Sequence, residues 1–141
     1  MKRIVSFILL CVLATSVYSQ RSAKINRSWL EPVPGGLKIH VNMDIDGCQY
    51  FTTEVVCFFY FEDGRKVYSC DNSYKAGDRQ VCTSTNVTSR YQSSHWDDVK
   101  LWIPNNQITD NRYVGKFKCC VQVFYGHILI GESEYMYFNF Y

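Results

Sequence analysis

Leu37-Lys38-Ile39-His40-Val41-Asn42-Met43-Asp44-Ile45-Asp46 alternates apolar and polar residues over its whole length. Successive side chains leave a strand on opposite sides, so this pattern predicts a β-strand with one buried and one wet face. Pro34-Gly35-Gly36 supplies a turn just before it, and the stretch from Ile25 to Glu31, which carries Trp29, reads as a partner strand for a hairpin.

Further along, Val55 to Phe61 is apolar on both faces and rich in aromatics, the composition of a central strand covered on both sides. Asp63-Gly64 then turns the chain into a short expected partner, Lys66 to Ser69, and a strand is expected at Gln80 to Thr85. Val99, Leu101 and Ile103 alternate before Pro104, and Asn105 to Asn111 reads as a long connection between sheets. Lys116 to Tyr125, Ile128 to Ile130 and Tyr135 to Tyr141 complete the set. Nowhere do apolar residues recur at helical spacing over several turns, so the crossovers of a parallel α/β fold are missing. Many short strands broken by turn residues predict an all-β, antiparallel two-sheet sandwich, immunoglobulin-like or a related Greek key. A small closed β-barrel is the alternative.

The N-terminus has its own pattern. Lys2 and Arg3 precede an apolar run from Ile4 to Leu13, and Val17-Tyr18-Ser19 offers a cleavage site, so residues 1–19 are expected to be an export signal and 20–141 a single domain. That run falls short of the roughly 20 residues a spanning helix needs, which makes a retained anchor the weaker reading. Cys11 follows Leu10 rather than a small residue and reads as part of the apolar run, not as a lipid attachment site. Without Lys2 and Arg3, the 15 basic residues fall to 13, against 13 acidic ones. A chain with no basic surplus is not expected to bind nucleic acid. It also lacks the polybasic clusters that hold proteins on anionic lipid, so no stable membrane insertion is expected after signal cleavage. The expected location is extracellular or periplasmic.

Six of the seven cysteines follow the signal, the even count of a disulfide framework in an oxidising compartment. Cys119 and Cys120 are neighbours on a strand, point to opposite faces and are poorly placed to bridge each other. Cys57 and Cys119 fall in the inward sets of the two longest strands, which favours a bridge across the sandwich. Cys70 and Cys82 flank a polar segment that they could close, and Cys48 with Cys120 is the remaining pair. No C-x-x-C occurs, which argues against zinc and dithiol redox chemistry; neither a metal nor another cofactor is expected.

Few residues suggest a reaction. His40, His95 and His127 are the only candidates for a neutral-pH base, and none lies in a hydrolase signature. His40 has the outward phase of its strand and is expected in solvent. Asp97 and Asp98 would diverge on a regular strand. Asp44-Ile45-Asp46-Gly47 looks like the start of a calcium loop, but no later acid completes it, so a wet strand face ending in a turn is the plainer account. Trp102, between Leu101 and Ile103, is expected to face outward beside Lys100, where it could stack on a sugar or anchor a protein. Asn26 and Asn86 begin glycosylation sequons.

The order Trp29-Leu30-Glu31, Gly36-Leu37-Lys38-Ile39-His40-Val41, Val56 to Phe61, Tyr74 with Asp78 to Val81, and Gly115-Lys116 to Phe124 resembles an uncharacterised β-rich domain of secreted or multidomain bacterial proteins. The resemblance spans nearly all of the chain after residue 19. It implies a β fold and an exported setting, and brings no reaction or site residues with it. The expected function is therefore a secreted, non-enzymatic binding or interaction module, disulfide-stiffened, whose partner is a protein or glycan outside the cytoplasm. The alternatives are a carbohydrate-binding module using Trp102 and neighbouring tyrosines, and a small secreted hydrolase or inhibitor.

Overall fold

The computed structural model describes residues 20–69, 73–109 and 115–140. Its strands are β1 (Ser22–Val33), β2 (Gly36–Asp46), β3 (Thr52–Phe61), β4 (Cys82–Thr88), β5 (Ser93–Pro104), β6 (Gly115–Tyr125), β7 (Ile128–Glu132) and β8 (Met136–Phe140). A single helical turn, Asn105–Ile108, follows β5. The first sheet has the order β1-β2-β5, and the second the order β4-β3-β6, with β7 and β8 each pairing with β6. All of these ladders are antiparallel. The chain is thus an all-β sandwich. Its strand order is that of an immunoglobulin-type sandwich in which the fourth strand has left the fifth and joined the third. At the two sides the sheets meet through local contacts: the Thr83 hydroxyl donates to the Trp102 carbonyl at 2.8 Å, and Gly131 lies against Ala23. Among the described residues neither side forms a ladder that would close a barrel.

The alternation in β2 decides the packing. Leu37, Ile39, Val41, Met43 and Ile45 are at most 4% exposed and form one wall of the core. Val55, Cys57 and Phe59 from β3, with Phe117, Cys119, Val121 and Val123 from β6, form the other. As its two apolar faces predict, β3 runs between β4 and β6. Phe61, Phe117, Phe138 and Phe140 fill the end of the core where β3 stops and β6 starts. The chain enters β1 at one end of the sandwich and leaves β8 at the other, since Ser22 pairs with the end of β2 and Phe140 with the start of β6.

Two irregularities explain where the sequence pattern misleads. β5 begins well before Val99 because a bulge interrupts it: Val41 pairs with Val99 and Met43 with Trp96, leaving Asp97 and Asp98 together opposite Asn42. That extra residue shifts the phase of the alternation. Lys66 to Ser69 forms no strand; only the isolated bridges Tyr60–Lys66 and Tyr68–Gln80 occur there. Asp63 accepts from the Arg65 amide at 2.9 Å and from its guanidinium at 2.7 Å in the expected turn. The chain does fold back on β3, with Phe61 donating to the Arg65 carbonyl at 2.8 Å and Val67 to the Phe59 carbonyl at 3.2 Å, but the pairing stops short of a strand. The strand expected at Gln80 starts at Cys82 and runs on to Thr88. In the expected connection after Pro104, Ile108 turns inward and is 2% exposed, while residues 110–114 lie outside the described residues, as does Tyr141.

Candidate functional site

Three connections meet at the end where β1 begins: Gly47–Phe51 between β2 and β3, Ser89–Gln92 between β4 and β5, and Gly126–His127 between β6 and β7. The first two are zipped together by backbone hydrogen bonds. Gly47 donates to the Gln92 carbonyl at 2.9 Å, Tyr50 to Ser89 at 2.7 Å, and Ser89 to Phe51 at 3.3 Å. The Gln49 side-chain amide adds a bond to the Arg90 carbonyl at 3.2 Å, and Cys48 is buried beneath. On this rigid base Tyr50 is 77% exposed, Tyr91 68%, Ile128 61% and Phe51 51%. Tyr50 also has φ +67°, a left-handed conformation that is strained for a bulky residue. Phe51 meets the Tyr125 ring edge-on at 5.6 Å, and the Arg21 guanidinium sits 4.2 Å from the centre of that ring. Period-two reading does not find this cluster, because its members lie in or beside turns. The only sequence signal is large aromatic residues, Tyr50, Phe51 and Tyr91, in segments otherwise made of turn residues.

Trp102 faces outward, as the alternation predicts, and is 42% exposed. Its indole lies over Gly36, where an added Cβ would be only 2.7 Å from ring atom Cε2. Tyr74 meets it edge-on at 6.5 Å, and Lys38 is its cross-strand neighbour. A concavity of about 260 Å³ lined by Tyr74, Lys75, Cys82, Thr83 and Ser84 adjoins it.

The histidines differ from expectation. His40 has the outward phase but is only 7% exposed, because its cross-strand neighbour Trp29 stacks on it at 4.9 Å and 4°. The Arg27 guanidinium lies 4.5 Å from the centre of the Trp29 ring. Nδ1 of His40 meets Asp98 at 2.8 Å and Nε2 meets Glu31 at 3.2 Å. His95 is likewise held between two carboxylates, Asp44 at 2.6 Å on Nδ1 and Asp97 at 2.9 Å on Nε2. Asp97 and Asp98 therefore do not diverge: the bulge lets both serve the outer face, each on its own histidine. Every ring nitrogen of these two residues is occupied, so neither has a free nitrogen to take a proton from a substrate. Of the histidines, that leaves His127, which is exposed in its turn.

Hydrogen bonds from its ring to Asp44 and then to Asp97 raise the pKa of His95 above its usual value. Asp44 is in turn held below the usual carboxylate range by the Asn26 amide and then by His95. A histidine whose folded pKa is raised contributes stability that is fully present below its unfolded pKa of about 6.5 and is lost as pH rises through the folded value. In an NMR titration the His95 ring is expected to show a midpoint above that of free histidine, and Asp44→Asn to bring it down.

Cys57 and Cys119 are both fully buried and face inward, but on adjacent strands of the same sheet: Cys57 pairs with Val121 and Cys119 with Phe59. Both are free thiols in this structure, and a bond between them would join neighbouring strands; the expected bridge across the sandwich is corrected accordingly. Burial, and then a hydrogen bond to Cys119, pushes the Cys57 thiol well above its ordinary range. Cys120 takes the opposite face from Cys119, as expected, where it and Cys82 flank Phe58. Burial pushes both of these thiols up to about 11. Cys48 belongs to the core at the loop end while Cys120 faces outward in mid-strand, so the pairing of these two is overturned. Cys70 lies outside the described residues, and its pairing with Cys82 with it. Of the sequon residues, Asn26 uses its amide to bond Asn42 at 3.1 Å and Asp44 at 2.9 Å, whereas Asn86 is exposed on β4.

No family model and no curated protein matches the chain. Among solved structures it is similar to DesR, a β-glucosidase from Streptomyces venezuelae, with a TM-score of 0.48 and 14% identity over 87% of this chain and 15% of that one. It is also similar to β-glucosidase 3B from Thermotoga neapolitana, with a TM-score of 0.46 and 12% identity over 86% of this chain and 17% of that one. A protein from Archaeoglobus fulgidus aligns at a TM-score of 0.38 and 12% identity, over 86% of this chain and 97% of its own length. The chain thus spans a small fraction of either glucosidase.

Proposed function

We propose that the protein is an exported, non-enzymatic binding module that engages a protein partner through its loop end. The observation that carries this reading is the exposure of Tyr50, Phe51 and Tyr91, each more than half exposed, on two connections fixed to each other by backbone hydrogen bonds, with the exposed Ile128 at the start of β7 at the same end. Exposed aromatics held rigid lose little entropy on binding and are typical anchors of protein interfaces. By fold analogy alone, the β2–β3 and β6–β7 connections correspond to two of the antigen-contacting loops of variable domains. The occupied histidine nitrogens support a non-enzymatic role. A photoreactive residue at position 91 is expected to give discrete protein adducts in the producing cells, and one at position 63, at the opposite end, none. Tyr50→Ser with Tyr91→Ser should abolish binding to the adduct protein while moving stability by no more than about 0.5 kcal/mol per site. Equal labelling from both positions, or none from either, rejects the reading.

A carbohydrate reading is favoured by one observation, the exposed Trp102 held over Gly36. It requires oligosaccharide binding that is lost in Trp102→Ala.

Export and oxidation are tested together. The intact mass of the secreted product is expected to correspond to a chain starting at Gln20. Alkylation under denaturing, non-reducing conditions is expected to leave Cys57 and Cys119 unmodified as a linked pair. Full labelling of both thiols counts against the disulfide.

A further inference from the structure

The outer face of the second sheet carries a concavity of about 370 Å³, within the size range of small-molecule sites. It is remote from the chemistry of the loop end. Its floor includes Phe58 and Tyr60, two residues apart on β3 and therefore on the same face, about 7 Å from each other. Both rings are half-buried and are held edge-on by neighbours, Phe58 by Phe124 at 6.4 Å and Tyr60 by Tyr135 at 5.7 Å. The walls are polar. Lys66 Nζ meets Asp78 Oδ2 at 2.9 Å, with side chains 45% and 46% exposed, and Gln80 and Gln122 add carboxamides. The other Asp78 oxygen accepts from the Gln80 backbone amide at 3.0 Å, which fixes the carboxylate in place. The Gln80 side chain donates to the Phe59 carbonyl at 3.1 Å, and the Gln122 side chain to Glu132 at 3.3 Å, so both carboxamides are oriented.

This chemistry selects a ligand class. A floor of flat aromatic rings favours a ligand with a flat apolar face. Lys66 offers donors and Asp78 acceptors, and such a pair matches an edge of hydroxyl groups, each of which can both give and accept. The cation and the anion neutralise each other, so the walls do not select for net charge. A neutral pyranose combines an axial C–H face with an equatorial hydroxyl edge and meets all three conditions. We propose that this concavity, rather than the Trp102 surface, is a binding site for neutral pyranose sugars. It is separate from the loop end, so its failure would leave the protein-binding reading standing.

The test is a printed panel of neutral oligosaccharides, β-glucans, mannans and galactans, with sialylated and uronic-acid glycans alongside, probed with the full exported chain. Wild type is expected to bind neutral members. Lys66→Ala and Asp78→Asn, both at exposed positions, should weaken that binding about tenfold or more, as expected for loss of charged hydrogen-bond partners. Trp102→Ala should leave it unchanged. Tyr60→Ala should also weaken it, with its thermal midpoint recorded; Lys66→Ala decides the matter if Tyr60→Ala fails to fold. No binding to any neutral glycan, binding confined to charged glycans, or loss in Trp102→Ala but not in Lys66→Ala and Asp78→Asn overturns the proposal.

Discussion

Phe117→Ala is expected to lower the thermal midpoint by about 10–20 °C, a loss of about 3–5 kcal/mol. Phe117 is fully buried near the start of β6. Its ring lies 5.5 Å from Phe61, 5.6 Å from Phe138 in a near-parallel stack, and 5.5 Å from Phe140 edge-on. Alanine would remove the shared centre of this group and leave a cavity that rigid β backbones cannot collapse to fill. β8 would suffer most, because Phe138 is also packed against Phe59 and Phe140 against Phe138, and both lose their common neighbour. Phe117→Leu should restore most of the loss. Chemical denaturation of the two variants measures this directly, and a cost below about 1 kcal/mol for alanine would show that the aromatic end is not packed as described.

Gly131→Ala is expected to have an effect nearly as large, by overpacking instead of by loss of contacts. A Cβ at this position in β7 would lie 2.8 Å from both the carbonyl carbon and the side chain of Ala23, and closer still to the Ala23 carbonyl oxygen. The obstacle is the backbone of Ala23, near the start of β1 and paired with Ile45, so no rotamer change relieves it. Either β1 or β7 must move away, which opens the side of the sandwich where the two sheets meet. Overpacking of this kind typically costs about 1–3 kcal/mol and sometimes more. Ala23→Gly should recover only part of it, since the carbonyl stays in place. A midpoint within about 2 °C of wild type would show that the two edges can separate freely.

These two sites also show what the sequence makes legible. Period two in β2 and the doubly apolar β3 suffice to define both walls of the core, because burial and alternation are local properties. The outward phase of Trp102 and the opposed faces of Cys119 and Cys120 are legible for the same reason. What is hidden depends on pairing between distant strands. His40 is buried by Trp29 from β1, and the Cys57–Cys119 neighbourhood follows from β3 lying directly beside β6. The bulge at Asp97 and Asp98 breaks the very periodicity used to find β5. The aromatic loop end is hidden for a further reason: turns have no period, so exposed rings in two separate connections carry no common pattern until the strands bring those connections together.

The entry of the chain at one end of the sandwich and its exit at the other makes the module directional. Ser22, at the start of β1, lies at the same end as Tyr50, Phe51 and Tyr91, whereas Phe140 lies at the far end. A surface tether or purification tag at the C-terminus would present the aromatic loops outward, and a bulky N-terminal fusion would shade them.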